Sequence, residues 1–424
     1  MPELVIDNSG FGEWRRKLKR NERKHTIDCR ENVYLILRHH SAWAGCVAYD
    51  EFAQRVVIRK IPEIEDAGDF EPGPWRADHD LQLGFWLSQA EDVVCKNKDT
   101  LGLGVLMAAK RACFHPVREF LGALAWDGVA RSEEWLTDFL GVTKTPYTMR
   151  VARYFLINMI ARVMQPGCIM RSVPVLEGPQ NRGKSTALRI LAEPWFSDTH
   201  LNLQNKDAYQ SIQGVWLYEI SEMESFSRAE VTRVKAFVSS RDDNYRPPYE
   251  GRNIQPKRQV AFSGSTNESL YLRDWSGNTR FWPVTTEAEG PIKLEELAAA
   301  RDQILAEAVA LFRAGERRHP TRDEEKDLFA PEQEQRAVEH PWQARIDDWL
   351  GAGTFERTTV GEVLSDCLKF EASKMLASHS QDVGRILHRL GWQQRRESSE
   401  SRRRYYERPV KPKAPPPDPS EVPF

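Results

Sequence analysis

The 424 residues contain no apolar run approaching the ~18 needed for a membrane-spanning helix. The most lipid-like stretch, Tyr154 to Met164, is broken by Asn158 and Arg162. The N-terminal Met-Pro-Glu-Leu-Val-Ile-Asp lacks the basic and apolar regions of a signal peptide, so a cytoplasmic protein with no membrane partner is expected. Cysteine is sparse and scattered: six residues, with no CxxC pair. That argues against zinc ribbons and against a disulfide framework. There is no internal repeat and no excess of one charge, with 60 Lys+Arg against 62 Asp+Glu. A near-neutral total does not exclude nucleic acid, because local charge decides such contacts.

What is present is a core-forming composition, 40% hydrophobic with 13 Trp. Residues 1–115 read as a small mixed domain, with a basic run at residues 15–24 that suits a solvated helix face. Residues 116–170 read as a helical segment. In it Thr145-Pro146 starts a helix and Pro166-Gly167 stops one. Residues 171–313 alternate short apolar runs with amphipathic stretches, the α/β pattern, and close on one helix from Leu294 to Arg313. Residues 314–340 are charged and read as a linker. In 341–408, Thr359-Val-Gly-Glu362 is a capping box, a second helix covers Gln381 to Leu390, and a hairpin turns at Glu397 to Ser401 before Tyr405-Tyr406. Helix, helix, hairpin is a winged-helix pattern. Residues 409–424 are proline-rich and expected to be disordered.

The sharpest signal is a phosphate-binding loop of Gly178, Pro179, Gln180, Asn181, Arg182, Gly183, Lys184, Ser185 and Thr186. It fits G-x-x-x-x-G-K-[ST] between an apolar strand, Val173 to Leu176, and a helix, Thr186 to Leu191. Backbone N–H groups there wrap an anion and the helix N-terminus adds partial positive charge. Lys184 would reach the β and γ phosphates of ATP and the Ser185 hydroxyl would hold Mg²⁺. A second apolar run ends in Glu219 and Glu222. Glu219 is assigned to the metal side and Glu222 to the attacking water, with the order open by one strand register. A third run ends in Asn267, which suits water positioning or an Asx turn. Arg280 sits in an aromatic segment. It either stabilises a transferring phosphoryl group in a neighbouring subunit or stacks on Trp282.

These residues, in this order, resemble the virulence-associated protein E family of phages and prophages. The resemblance runs from about Phe114 to Val284 and includes Trp126-Asp-Gly128, the phosphate loop, Trp216 to Glu222, Val234 to Phe237, Asp243 to Tyr249, Ser265-Thr-Asn267 and Leu272 through Pro283. That family is similar to the superfamily 3 helicases within the AAA+ class. The resemblance therefore implies an AAA+-type P-loop NTPase core in a ring-forming, hexameric, ATP-dependent DNA helicase, working in a bacterial host cell. The alternative is an ATP-dependent replication initiator or regulator that does not unwind DNA. By matching, the lysine-bearing helix carries Lys235, expected to contact DNA, the sensor is Asn267 and the arginine finger is Arg280. The family often has paired arginines where this chain has Thr279-Arg280, which leaves Arg273 as the other finger. A hairpin lining a central pore would offer Arg246, Arg252, Lys257 and Arg258 to a single strand, with Tyr245 or Tyr249 stacking on bases. No primase activity is expected from the residues ahead of the resembling part, so a primase or polymerase would come from another chain. Independently, residues 385–408 hold eight arginines against three acids. Arg385, Arg389, Arg402 and Arg403 there are candidates for duplex contact.

Overall fold

The computed structural model describes residues 12–65, 70–95, 97–200, 203, 208–246, 253–272, 278–353, 355–396 and 404–408. The chain divides into two compact units, Met1–Ser269 with Thr279–Gln333, and Leu270–Asn278 with Glu334–Phe424. Among the described residues, no helix is long and apolar enough to cross a membrane.

The first unit begins with a four-stranded sheet. β1 (Val47–Asp50) pairs antiparallel with β2 (Arg55–Ile58) and parallel with β4 (Cys113–Phe114), and β2 pairs with β3 (Gly73–Pro74). Helices Arg30–His39, Ala77–Ala90 and Lys98–Ala109 bury Val33, Ile36, Leu83, Leu87 and Val105 in a core with Trp43. Two of these helices approach so closely that a Cβ on Gly104 would lie 2.5 Å from Val33 Cβ.

The helix Pro146–Met164 follows. Thr145 Oγ1 accepts from the Thr148 N–H at 3.1 Å, and Pro146 occupies the first position, where a missing N–H costs nothing. This helix is buried along most of its length. Beside it lies a parallel sheet of β5 (Val173–Glu177), β6 (Phe196–Ser197), β7 (Leu217–Ile220), β8 (Ala261–Thr266) and β9 (Phe281–Thr285). The strand order is β6-β7-β8-β5-β9 and every pairing is parallel. Continuous apolar runs such as Val173 to Leu176 suit strands covered on both faces. The molecule is thus mixed α/β with a parallel sheet. The helix Leu294–Arg313 has the bounds read from the sequence.

The stretch expected to be a linker from 314 differs. Its residues 322–335 are helical, through Arg322–Glu324, a wider-wound turn Glu325–Phe329, and Ala330–Gln335. Phe329 is fully buried, with its ring centroid 5.1 Å from that of Trp282 and 4.9 Å from that of Tyr147. Glu324 bonds to Tyr154 and Arg150, and Gln333 Nε2 donates to Phe281 O at 3.3 Å, anchors that average composition hides.

The second unit holds helices Gln343–Ala352, Val360–Glu362 running on through Val363–Cys367, and Ala377–Arg389. Its sheet contains β10 (Arg357–Thr358), β11 (Gln393–Arg396) and β12 (Arg404–Glu407), ordered β10-β12-β11 and antiparallel. The capping box is present: the Glu362 N–H donates to Thr359 Oγ1 and the Thr359 N–H to Glu362 Oε2. The helix expected from 381 begins at Ala377. The turn between β11 and β12, and the proline-rich tail, lie outside the described residues.

Candidate nucleotide site and basic surfaces

From β5 the chain moves out to β6, steps back through β7 and β8, and then crosses to β9 on the far side. The end of β5 is therefore the switch point, where open parallel sheets leave a crevice for ligands. The loop starts there. Gly178 has φ 152°, and a Cβ on it would lie 2.6 Å from Thr286 Oγ1. Gly183 has φ 95° and caps the helix Lys184–Ala192. Pro179, Gln180, Asn181, Arg182 and Thr186 are exposed, so the loop is open to solvent.

Lys184 is buried and folds back across its own loop. Its Nζ donates to the Gly178 and Pro179 carbonyls, each at 2.7 Å, and to Asn267 Oδ1 at 3.2 Å. Ser185 Oγ donates to Glu219 Oε1 at 2.8 Å, and Ser265 Oγ to the same oxygen at 2.5 Å. Glu219 is 1% exposed, and its Oε2 is buried without a hydrogen-bond partner. A hydroxyl and an orphaned carboxylate oxygen form a hard-oxygen donor set that fits Mg²⁺. That ion is commonly held by one or two protein ligands, with phosphates and water completing its shell.

The structure thus brings Lys184, Ser185, Glu219 and Asn267 together. Glu222 stands apart, exposed on the turn after β7 with φ 53°. Of the two glutamates, only Glu219 bonds to the loop's helix. Ser265 was not anticipated, nor was Glu177. Buried at the end of β5, Glu177 accepts from Thr285 Oγ1 at 2.8 Å, while its carbonyl accepts from Thr286 N and Oγ1, each at 2.8 Å. A lone carboxylate closing an apolar strand was the available signal.

Arg280 lies just before β9, at the opposite edge of the sheet from the loop. Five strand residues place it roughly 17 Å away. Its Nε donates to Ser239 Oγ at 2.9 Å. It does not stack on Trp282, whose ring neighbours are Tyr154 and Phe329. Lys235, expected to contact DNA, is buried, with its Nζ 5.7 Å from the Phe281 ring centroid. An ammonium turned inward over a ring is not presented to a phosphate, which corrects that expectation. Arg273 lies outside the described residues.

Residues 241–246 and 253–258 form two arms of a hairpin. The Asp243 N–H donates to Pro256 O, Tyr245 and Ile254 exchange N–H···O bonds, and the Arg258 N–H donates to Arg241 O. Arg246 and Lys257 are exposed, Lys257 beside Asp242 at 2.5 Å. Arg252 and Tyr249 lie outside the described residues. Two expectations are corrected along the arms. Tyr245 is 8% exposed, and Arg258 is fully buried. Arg258 Nε donates to Asp243 Oδ1 at 2.7 Å, and its Nη1 donates to Phe237 O. Burial pushes the Asp243 carboxyl above the usual range against the pull of Arg258. Burial also lowers Arg162, close by, to about 10.

In the second unit Arg385 is half-buried and pairs with Asp382 at 3.4 Å, while His388 and Arg389 are exposed. Arg402 and Arg403 lie outside the described residues.

A family model described as the virulence-associated protein E-like domain matches residues 121–338, more than half of the chain. No curated protein matches the sequence. Among solved structures, the apo C-terminal region of NrS-1 (residues 305–718 of that protein) is similar at 11% identity and a TM-score of 0.41. The match covers 82% of this chain and 83% of that one. An A-form apo structure of the same region is 9% identical with a TM-score of 0.41, covering 82% and 84%.

Proposed function

The chain belongs to the virulence-associated protein E-like family, and from that premise we propose that it is an ATP-driven, ring-forming DNA helicase of phage or prophage replication, of the superfamily 3 branch of AAA+ proteins. The observation that carries this reading is the bonded cluster of Lys184, Ser185 and Glu219 at the switch point of the parallel sheet. Lys184 would leave the two loop carbonyls for the β and γ phosphate oxygens. Ser185 and Glu219 would hold Mg²⁺, which when bound neutralises charge on the phosphates. Asn267, within reach of Lys184, would position the attacking water. Glu222 would polarise that water only after the turn carrying it moves inward.

The opposite-edge position of Arg280 supports an inter-subunit site. At roughly 17 Å it cannot serve the loop of its own chain. In a ring, it would complete the loop of the next subunit and lose that contact as phosphate leaves, changing the angle between neighbours. The hairpin of residues 241–258 would carry Arg246 and Lys257 to a single strand in the pore. The helix Ala377–Arg389 packed against a three-stranded sheet supports a winged-helix reading of the second unit, with duplex contact by Arg385 and Arg389.

The deciding experiment is strand separation on a forked substrate, with Lys184→Ala as control. Wild type is expected to hydrolyse ATP faster with DNA and to unwind. Lys184→Ala should do neither, because it removes the cation on the phosphates. Unwinding by Lys184→Ala would place the nucleotide elsewhere. ATP-dependent assembly on DNA without unwinding would leave the initiator reading standing instead.

A further inference from the structure

We propose that the solvent face of the C-terminal three-stranded sheet, built by Arg357, Arg395 and Tyr405, binds single-stranded nucleic acid. The register fixes two faces. Thr358 and Gln394 lie opposite Tyr406, and this side is turned to the helix Ala377–Arg389. Tyr406 is buried, and a Cβ on Gly384 would lie 2.9 Å from its hydroxyl, so the helix sits directly on that face. His388 packs edge-on to Tyr406 with ring centroids 5.4 Å apart. Successive side chains alternate, so Tyr405 and Glu407 point the other way. Arg357 stands opposite Glu407 from β10, and Arg395 stands opposite Tyr405 from β11.

That outer face has an ordered arrangement. Arg357 Cζ lies 4.9 Å from the Tyr405 ring centroid. Glu407 gives one carboxylate oxygen to each arginine, Oε1 to Arg357 at 3.2 Å and Oε2 to Arg395 at 3.5 Å. The two guanidiniums are thereby held on one carboxylate, Arg357 also over the ring and Arg395 also donating to Gln393 Oε1 at 3.1 Å, while their side chains stay 66% and 57% exposed. Exposed ion pairs contribute little to stability, so folding alone does not account for the arrangement. An arginine fork can take phosphate oxygens in bidentate fashion, and a tyrosine offers a stacking platform for any base. Arg396 and Arg404, paired across the β11–β12 ladder, fall by the same alternation on the Tyr406 side and do not belong to this face. An acidic peptide would satisfy the arginines but leave the ring unused. The inference extends the DNA-linked reading above to a separate surface. It is tested without nucleotide, so the failure of either leaves the other standing.

The test is fluorescence anisotropy of the full chain with labelled oligothymidine and with a duplex of equal length. Tyr405→Leu is expected to weaken oligothymidine binding about tenfold, the loss of one stacked base, with duplex binding unchanged. Tyr405→Phe keeps the ring face and should bind like wild type. Arg357→Gln with Arg395→Gln should reduce the slope of log affinity against log salt by about 1.4, two single-strand phosphate contacts. Wild-type affinity in Tyr405→Leu overturns the proposal. So does polyglutamate displacing oligothymidine from wild type but not from the arginine variant, which would mark a protein-docking face. If circular dichroism shows Tyr405→Leu unfolded, the arginine variant decides alone, and an unchanged salt slope overturns the proposal.

Discussion

Glu219 is where two hydroxyls and an empty lone pair meet. Ser185 and Ser265 both donate to Oε1, which leaves Oε2 buried and uncompensated. A buried acceptor without a partner is costly, so its persistence at a phosphate loop argues for an occupant in the working state. Glu219→Gln keeps the shape and can still accept both hydroxyls. ATP hydrolysis is expected to fall on the order of 10²-fold, as when one preorganised electrostatic group is removed. ATP binding, followed with a fluorescent analogue, should persist. Gly178 makes a different demand. At φ 152° and with Thr286 Oγ1 2.6 Å from any Cβ, Gly178→Ala meets both strain and overlap. The expected result is destabilisation of about 1–3 kcal/mol in chemical denaturation, together with loss of nucleotide binding. The loop was legible at this scale because its residue types and spacing together encode anion binding. Ser265 and Glu177 were not, because serine and glutamate are common and only the register of β5, β8 and β9 gives them partners.

Among elements, the hairpin of residues 241–258 shows how pattern reading succeeds and fails together. Its position between the helix Arg228–Val238 and β8 was readable, and so was the cationic character of its arms. Which cations face outward was not. Arg258 looks like its neighbour Lys257 in sequence, yet it is fully buried on Asp243, with the Phe237 ring centroid 4.4 Å from its guanidinium carbon. One arm supplies the acid and the other the base, so the pair clamps the hairpin at its root. Asp243→Ala leaves a buried guanidinium unpaired, a change that costs about 3–5 kcal/mol. The expected outcome is a large fall in melting temperature, measured by thermal denaturation, with Lys257→Ala near wild type as the exposed control. The charged stretch after Ala314 taught the same lesson in reverse. Its composition suggested a linker, while Phe329 sits in the core between Tyr147 and Trp282, with Glu324 bonded to Tyr154 and Arg150 and Gln333 donating to Phe281 O.

For the whole molecule, the parallel sheet separates two halves of the proposed reaction. Lys184, Ser185 and Glu219 gather at the C-terminal edge, and Arg280 waits at the N-terminal edge of the same sheet. The apolar runs announced the strands, but their order could not be read, because nothing local says that β9 crosses to the far side of β5. The parallel direction of β9 sets Arg280 at the edge opposite the loop, and under the ring proposal that would make one chain half of two sites. The consequence is testable by complementation. Lys184→Ala alone should be inactive for want of the phosphate-binding cation, and Arg280→Ala alone should be inactive because every site lacks its neighbour's arginine. Mixed in equal amounts, the two variants should form some interfaces in which an intact Lys184 faces an intact Arg280. ATP hydrolysis should then return to about a quarter of wild type when half the subunits carry each change at random, since each site draws its two halves from independent neighbours. Hydrolysis that stays at zero in a mixture shown by light scattering to contain assembled rings would remove Arg280 from the shared site. Full activity of Arg280→Ala alone would do the same without any mixing.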